Sequence, residues 1–328
     1  MKASLQQLCG RFVQNRAVLK QKFKLESSYL YPVCANLFCA RGVDADAQMI
    51  DACKQVLKSR TGVFSNFRSN LRMPVVCMLA TGGNPDAQMD MAVRNYTLLK
   101  RHFFTSEYLA LAAFLLTELG PFYEETAMRG KTIYKRMKQE HPFLTSSEDN
   151  VFAVFLACSP KSNDALIEDM ESSYQLLKMR FSSSNNVQAA SQVLALAEGE
   201  ATDKAVRMIK LCDAIVDAGG KFGKYYELST LAALSLLDVP LQELVEDLMD
   251  ADRFLATQPG YRFLGFDRRT RLQHAALLVS GLYARQPTQR GANGRMVQNA
   301  AFTGTLALIA AQQAAMCASI AATSAASS

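Results

Sequence analysis

A phenylalanine, then a short polar cluster, then an apolar run returns about every forty residues along this chain, which is the mark of a stacked repeat. The phenylalanines are Phe23, Phe64, Phe104, Phe143, Phe181, Phe222 and Phe263, at intervals of 41, 40, 39, 38, 41 and 41 residues. The clusters include Glu26-Ser27-Ser28, Asn66-Phe67-Arg68-Ser69-Asn70, Thr105-Ser106-Glu107, Thr145 to Asp149, Ser182 to Asn186 and Lys224 to Glu227. Near Phe263 the cluster becomes Asp267-Arg268-Arg269-Thr270.

The runs that follow are too apolar for surface helices: Val75 to Leu79, Leu109 to Leu116, Val151 to Ala157, Val193 to Ala197, Leu231 to Leu237 and Ala275 to Val279. These spacings predict short helices buried on most sides. Breaks such as Gly82-Gly83-Asn84-Pro85-Asp86 and Ser162-Asn163-Asp164 combine a helix stop with an N-cap and start a second, amphipathic helix. Tyr96, Tyr134 and Tyr174 on those second helices are placed to pack on a neighbouring repeat. A hairpin of this size cannot bury its own apolar face, so hairpins must stack. The expected fold is all-α, a right-handed superhelix or solenoid of about seven helical hairpins, with a closed α/α toroid as the alternative curvature. The recurring phenylalanines are expected in the core between repeats. The repeats show neither period-two alternation nor an Asn-Gly hairpin turn, which argues against strands.

Domain organisation follows from the same pattern. Residues 1–284 form a single α-helical repeat domain. Pro287, Gly291 and Gly294 mark residues 285–295 as a linker, and residues 296–328 form an Ala-rich C-terminal capping helix with a disordered end. Gln312 and Gln313 interrupt that stretch, which argues against a membrane span. From Pro259 onward seven arginines face one acid, Asp267, so the whole net charge of +6 lies at this end. Such a segment could touch an anionic surface, but the excess is too mild for a specific nucleic-acid binder. Most of the eight cysteines sit in apolar runs, none forms a CxxC pair, and the three histidines are isolated. This argues against a zinc site of the usual Cys/His spacing, and a reducing cytoplasm fits. The N-terminus has no apolar core of signal-peptide length.

Chemistry could gather only at the polar clusters. Stacking would align Arg68, Asn70, Glu107, Glu148, Asp149, Asn186, Tyr226 and Glu227 along the N-terminal edge of the buried helices, where free N–H groups favour anions. Each cluster also has a plain structural use, since Thr145-Ser146-Ser147-Glu148 reads as a capping box. Capping does not require Arg68, Arg72, Tyr225 or Tyr226, and these support a ligand groove. Gly219 to Lys224 lacks the spacing of a phosphate loop, and no HExxH, GxSxG or GxGxxG pattern occurs. Neither a cofactor nor a resident metal is called for.

The phrases Thr61-Gly62-Val63-Phe64-Ser65-Asn66-Phe67-Arg68, His141 to Asp149 and Gly223 to Leu228, with the alanine-rich tail, resemble an uncharacterised bacterial family, domain of unknown function number four thousand and three. That resemblance implies a bacterial, cytoplasmic protein without an established activity, so no functional residue is carried over. The expected function is a non-catalytic binding or scaffold protein whose groove holds a peptide, a protein or a small anionic ligand. The alternatives are an α/α-toroid enzyme with a carboxylate-lined cavity and, more weakly, peripheral membrane association through the basic C-terminal region.

Overall fold

Helix starts and stops alternate along the sequence, and the helices alternate with them. The computed structural model describes residues 1–222, 227–262 and 265–283. They form fourteen α-helices: α1 (Ala3–Lys22), α2 (Leu30–Arg41), α3 (Ala47–Arg60), α4 (Arg72–Thr81), α5 (Pro85–Leu99), α6 (Glu107–Leu115), α7 (Glu124–Glu140), α8 (Asp149–Ala157), α9 (Asn163–Lys178), α10 (Ser184–Ala195), α11 (Ala201–Asp217), α12 (Glu227–Ser235), α13 (Leu241–Ala256) and α14 (Arg268–Tyr283). Among the described residues there is no strand. The linker at 285–295, the tail at 296–328, Phe263, Tyr225 and Tyr226 lie outside the described residues.

The even-numbered helices through α12 are the short apolar ones, and every residue of α8 and of α12 is buried. The odd-numbered helices are amphipathic. In α11 the buried positions Lys204, Met208, Leu211, Cys212 and Ile215 follow the helical spacing. Starts are capped as the sequence implies: Asn84 accepts from the Ala87 N–H at 3.1 Å ahead of Pro85, and Ser162 accepts from the Ala165 N–H at 3.1 Å. At the end of α2, Gly42 takes the left-handed conformation, with φ 69°, that stops a helix.

Two compact units contain these helices, divided within α1 and within α9: Gln14–Ile167, and Met1–Val13 together with the described residues from Glu168 to Tyr283. In the first unit α3 packs on α4, α5 on α6 and α7 on α8, while α3, α5 and α7 form an outer row. Gly130 of α7 permits the close approach to α8, since a Cβ there would lie 3.4 Å from the Val154 Cα. In the second unit α10, α12 and α14 form the apolar row and α11 packs on α13. Lys2 joins this unit through Asp247 at 2.9 Å and the Tyr283 hydroxyl at 2.8 Å. Outer helices are linked by ion pairs such as Arg60–Asp86 and Arg180–Asp213; exposed pairs of this kind add only about 0–1 kcal/mol each. Burial raises the thiol pKa to about 12 at Cys9 and Cys158 and to about 11 at Cys53 and Cys212, so these side chains are neutral packing groups.

The recurring phenylalanines divide into two classes, which corrects the expectation that all of them are core. Phe23, Phe181 and Phe222 are buried, whereas Phe64, Phe104 and Phe143 are 100%, 92% and 98% exposed. Neighbouring residues turn inward instead. Phe67 is buried against Tyr96 with ring centroids 5.3 Å apart, and Phe103 against Tyr134 at 6.1 Å. Tyr96 and Tyr134 thus pack on the aromatics in the loops that enter α4 and α6, and not on the recurring phenylalanines.

A buried helix must find partners for its last carbonyls, and an arginine one repeat back supplies them. Arg129 of α7 donates to the carbonyls of Ala157 at 3.0 Å and Ser159 at 2.6 Å, and also to that of Lys161. Arg207 of α11 donates to Ser235, Leu237 and Val239 at 2.7, 2.9 and 2.6 Å, with the same separations of 28, 30 and 32 residues. Midway between these arginines the equivalent position is Glu168, which cannot donate. There Lys204, anchored on Asp169 at 2.6 Å, reaches the Ala197 carbonyl at 3.1 Å. Charge-assisted bonds of this kind contribute about 1.5–3 kcal/mol each. Arg129→Met and Arg207→Met are each expected to lower unfolding free energy by about 2–4 kcal/mol. Urea melts check this, with Arg136→Met, which loses only an exposed pair to Asp164, as the near-neutral control.

Candidate functional site

The loops that enter α4, α6 and α8 place the polar clusters side by side along one end of the first unit, and their side chains bind one another across repeats. Arg72 pairs with Glu26 at 2.7 Å. Ser69 and Asn70 donate to Glu107 at 3.0 and 3.3 Å, and the Tyr108 hydroxyl donates to Glu148 at 3.2 Å. Each link joins the start of one buried helix to the start of the next. Ser106 caps α6 by accepting from the Leu109 N–H at 3.1 Å.

The expected capping box of Thr145 and Glu148 is not formed at α8. Asp149 accepts from the Ser146 N–H at 2.7 Å, while Thr145 is buried and donates to the Met137 carbonyl at 3.2 Å. The hydroxyl of Thr145 therefore ties the loop to α7 and leaves capping to Ser146 and Asp149. In the other unit Asn186 donates to Ser183 at 2.6 Å, and Glu227 is buried at the start of α12. Tyr226 falls outside the described residues. The structure thus brings Asn70 and Glu107 together and gives Glu148 a tyrosine partner.

Arg68 leads to a different feature. It lines a cleft of about 450 Å³ with Gln21, Lys22, Lys24, Lys54, Lys58 and Arg72. Six of the cleft's side chains are cationic and none is a carboxylate, and its walls include Phe23, Leu25, Leu57 and Val76. Lys54 lies 4.4 Å above the Phe23 ring and donates to the Lys22 carbonyl at 2.8 Å, which fixes its ammonium at the cleft wall. Two acids stand behind the cations: Asp51 accepts from Lys22 and from Lys54, and Glu26 pairs with Arg72. The hydrogen bond from Lys22 holds the Asp51 carboxyl below its usual value, burial opposes this, and Lys54 adds to it, so Asp51 stays ionised at neutral pH. Four positive charges remain in excess, on side chains drawn from the end of α1, the last turns of α3 and the start of α4.

Only Arg68 and Arg72 of this set stand out in the sequence by the repeat argument. The signal for the others is the alternation Lys20, Lys22, Lys24 at the end of one helix and the i, i+4 pair Lys54 and Lys58 in the next. The arginines of the last described helix serve its packing: Arg271 binds Asp252 through two hydrogen bonds of 2.7 and 2.9 Å, and Arg268 donates to the Gly219 carbonyl. Among the described residues no group of three or more His, Cys, Asp or Glu could hold a metal ion, and no helix is long and apolar enough to cross a membrane.

A family model described as "Protein of unknown function (DUF4003)" matches residues 15–314. The chain is 26% identical over 233 residues to "Uncharacterized protein YeaA" of Bacillus subtilis (strain 168), covering 67% of this chain and 69% of that protein. No solved structure matches.

Asp149→Ala is expected to cost about 1 kcal/mol of stability, and Glu148→Ala, at an exposed position, less than half of that. Neither should change anion affinity. Thermal melts and titration with pyrophosphate on the same samples check both statements.

Proposed function

The chain belongs to the DUF4003 family, whose function is unknown, and we propose that it is a non-catalytic binding protein that takes a small anionic ligand in the basic cleft. The observation that carries this reading is the convergence of Lys22, Lys24, Lys54, Lys58, Arg68 and Arg72 on one concavity without a carboxylate in its lining. Cations gathered at this density repel one another in the empty protein, and an anion relieves that repulsion. Arg68 and Arg72 offer forked donors suited to phosphate or carboxylate oxygens, and the lysines add mobile point charges. The apolar wall of Phe23, Leu57 and Val76 suits a ligand with an apolar portion beside its charge.

The polar edge supports this reading better than it supports an acid-lined catalytic cavity. Glu107 is engaged by Ser69 and Asn70, Glu148 by Tyr108, and Asp149 by the start of its own helix. Those partners give each carboxylate a role in joining repeats. A cytoplasmic location belongs to the same proposal, supported by the buried, neutral thiols.

Inorganic pyrophosphate is a suitable first probe. It should raise the melting temperature of the whole chain, by an amount corresponding to about 2.7 kcal/mol at a hundredfold excess over Kd. Lys58→Glu with Arg68→Glu removes two cations from the cleft and adds two acids, and should abolish that stabilisation while the protein still melts cooperatively. Equal stabilisation of the double variant, or none in the native protein, would falsify the proposal.

A further inference from the structure

Phe64, Phe104 and Phe143, with Leu25, form a row of apolar tips. Each occupies the loop between an amphipathic helix and the next buried helix, and each is at least 92% exposed. Val63, beside Phe64, is 72% exposed. Because α3, α5 and α7 lie side by side and run the same way, the loops leaving their C-termini emerge at one end of the first unit. The packing of the protein does not require these residues there, since Phe67 and Phe103 already fill the inward positions of the same loops. Leaving each ring in water forgoes the stabilisation that burial would bring.

Charge gathers around the tips. The stretches leading up to the tips, 20–25, 58–64, 100–104 and 138–143, hold eight lysines and arginines against one carboxylate, Glu140, and the carboxylates just beyond the tips, Glu26, Glu107, Glu148 and Asp149, are engaged by Arg72, by Ser69 and Asn70, by Tyr108 and by the Ser146 N–H. Lys22, Arg60 and Arg101 pair with Asp51, Asp86 and Glu124 on adjacent outer helices. Lys24, Lys58, Lys100 and Lys138 are exposed, each within six residues of a tip. The basic cleft opens at this same end, with Leu25 in its lining.

We infer that this end of the protein docks on an anionic phospholipid bilayer surface, with the four tips entering the interface and the lysines meeting lipid phosphates. Successive hairpins are offset by roughly the 8–10 Å of helix packing, so the tips are separate points and do not fuse into one apolar patch. A protein partner requires a closely packed continuous core at its interface. A bilayer interface accepts separated aromatic side chains, and its anionic headgroups attract basic residues beside them. Attachment is peripheral, since no described helix can span. The inference stands whether or not the cleft holds a ligand of its own.

The chain has no tryptophan, so Phe104→Trp installs a single fluorescent reporter at a tip. With vesicles of phosphatidylcholine containing about 30 mol% phosphatidylglycerol, in roughly 0.1 M salt, its emission should shift to the blue and the native protein should sediment with the vesicles. Phosphatidylcholine alone should give neither effect. Combining Phe64→Ser, Phe104→Ser and Phe143→Ser should weaken vesicle binding by roughly a hundredfold or more while leaving the thermal melt in place. Three results overturn the inference: native protein that stays in the supernatant with anionic vesicles, a triple variant that sediments as well as the native protein, or a native dimer that the triple variant converts to monomer without vesicle binding by either. The second would move attachment to another part of the chain, and the third would make the row an interface between two copies. Loss of pyrophosphate stabilisation in the Lys58, Arg68 double variant reports on the cleft alone, so the two proposals fail separately.

Discussion

Short helices buried along their whole length set the terms for everything else in this protein. α8 and α12 have nine residues each, all buried, so neither end can rely on bulk water for its free N–H and C=O groups. Both ends must be closed by other parts of the chain. At the starts, Ser106, Ser146 and Asp149 do this, and the same loops then bind one another through Glu107 and Glu148. At the finishes, Arg129 and Arg207 reach forward one repeat. A hairpin is thus incomplete without its neighbour in two ways, through apolar area and through unmet backbone groups. Stacking is the one arrangement that meets both needs.

That double dependence explains which parts of the fold could be read from residues alone. Apolar runs and N-cap signals are local, and the helices fall where those signals place them. The recurring phenylalanine is also local as a mark of the repeat, but its burial is not. Whether Phe64 or Phe67 turns inward is decided by the conformation of a loop a few residues long, and by whether Tyr96 is there to receive a ring. Period counting assigns both residues to the same part of the repeat and cannot choose between them. The capping box expected at α8 is not formed for a similar reason: the Thr145 hydroxyl donates to the Met137 carbonyl, and Asp149, not Glu148, reaches back to the loop at the Ser146 N–H.

The arginine clamps and the basic cleft were hidden for a different reason. Each depends on groups about thirty residues apart that become neighbours only after hairpins stack. Arg129 and Arg207 look like ordinary surface cations on amphipathic helices, and only their identical separations from the carbonyls they hold reveal the device. Its absence at Glu168, where Lys204 takes over, shows that the backbone requirement persists when the residue that usually meets it has changed. The cleft likewise combines the end of α1, the last turns of α3 and the start of α4. The sequence signal for it was the density of lysine in two helix ends, and the repeat pattern does not weight such density.

Both proposed binding surfaces lie where the repeat is relieved of structural duty. Along the polar edge nearly every named side chain joins one hairpin to the next, so a ligand there would compete with the links that hold the stack. Lys24, Lys58 and the loop tips lie beside that edge but outside the links: the two lysines are exposed, and Phe64, Phe104 and Phe143 contribute almost no buried area. Residues that stability does not use are free to be selected for binding. In this protein they are of two kinds, cations and large apolar groups, and both emerge at the same end of one unit. Cations alone would suit any dissolved anion, and apolar tips alone would suit any greasy surface. Their combination suits the proposed bilayer surface, negative outside and apolar beneath.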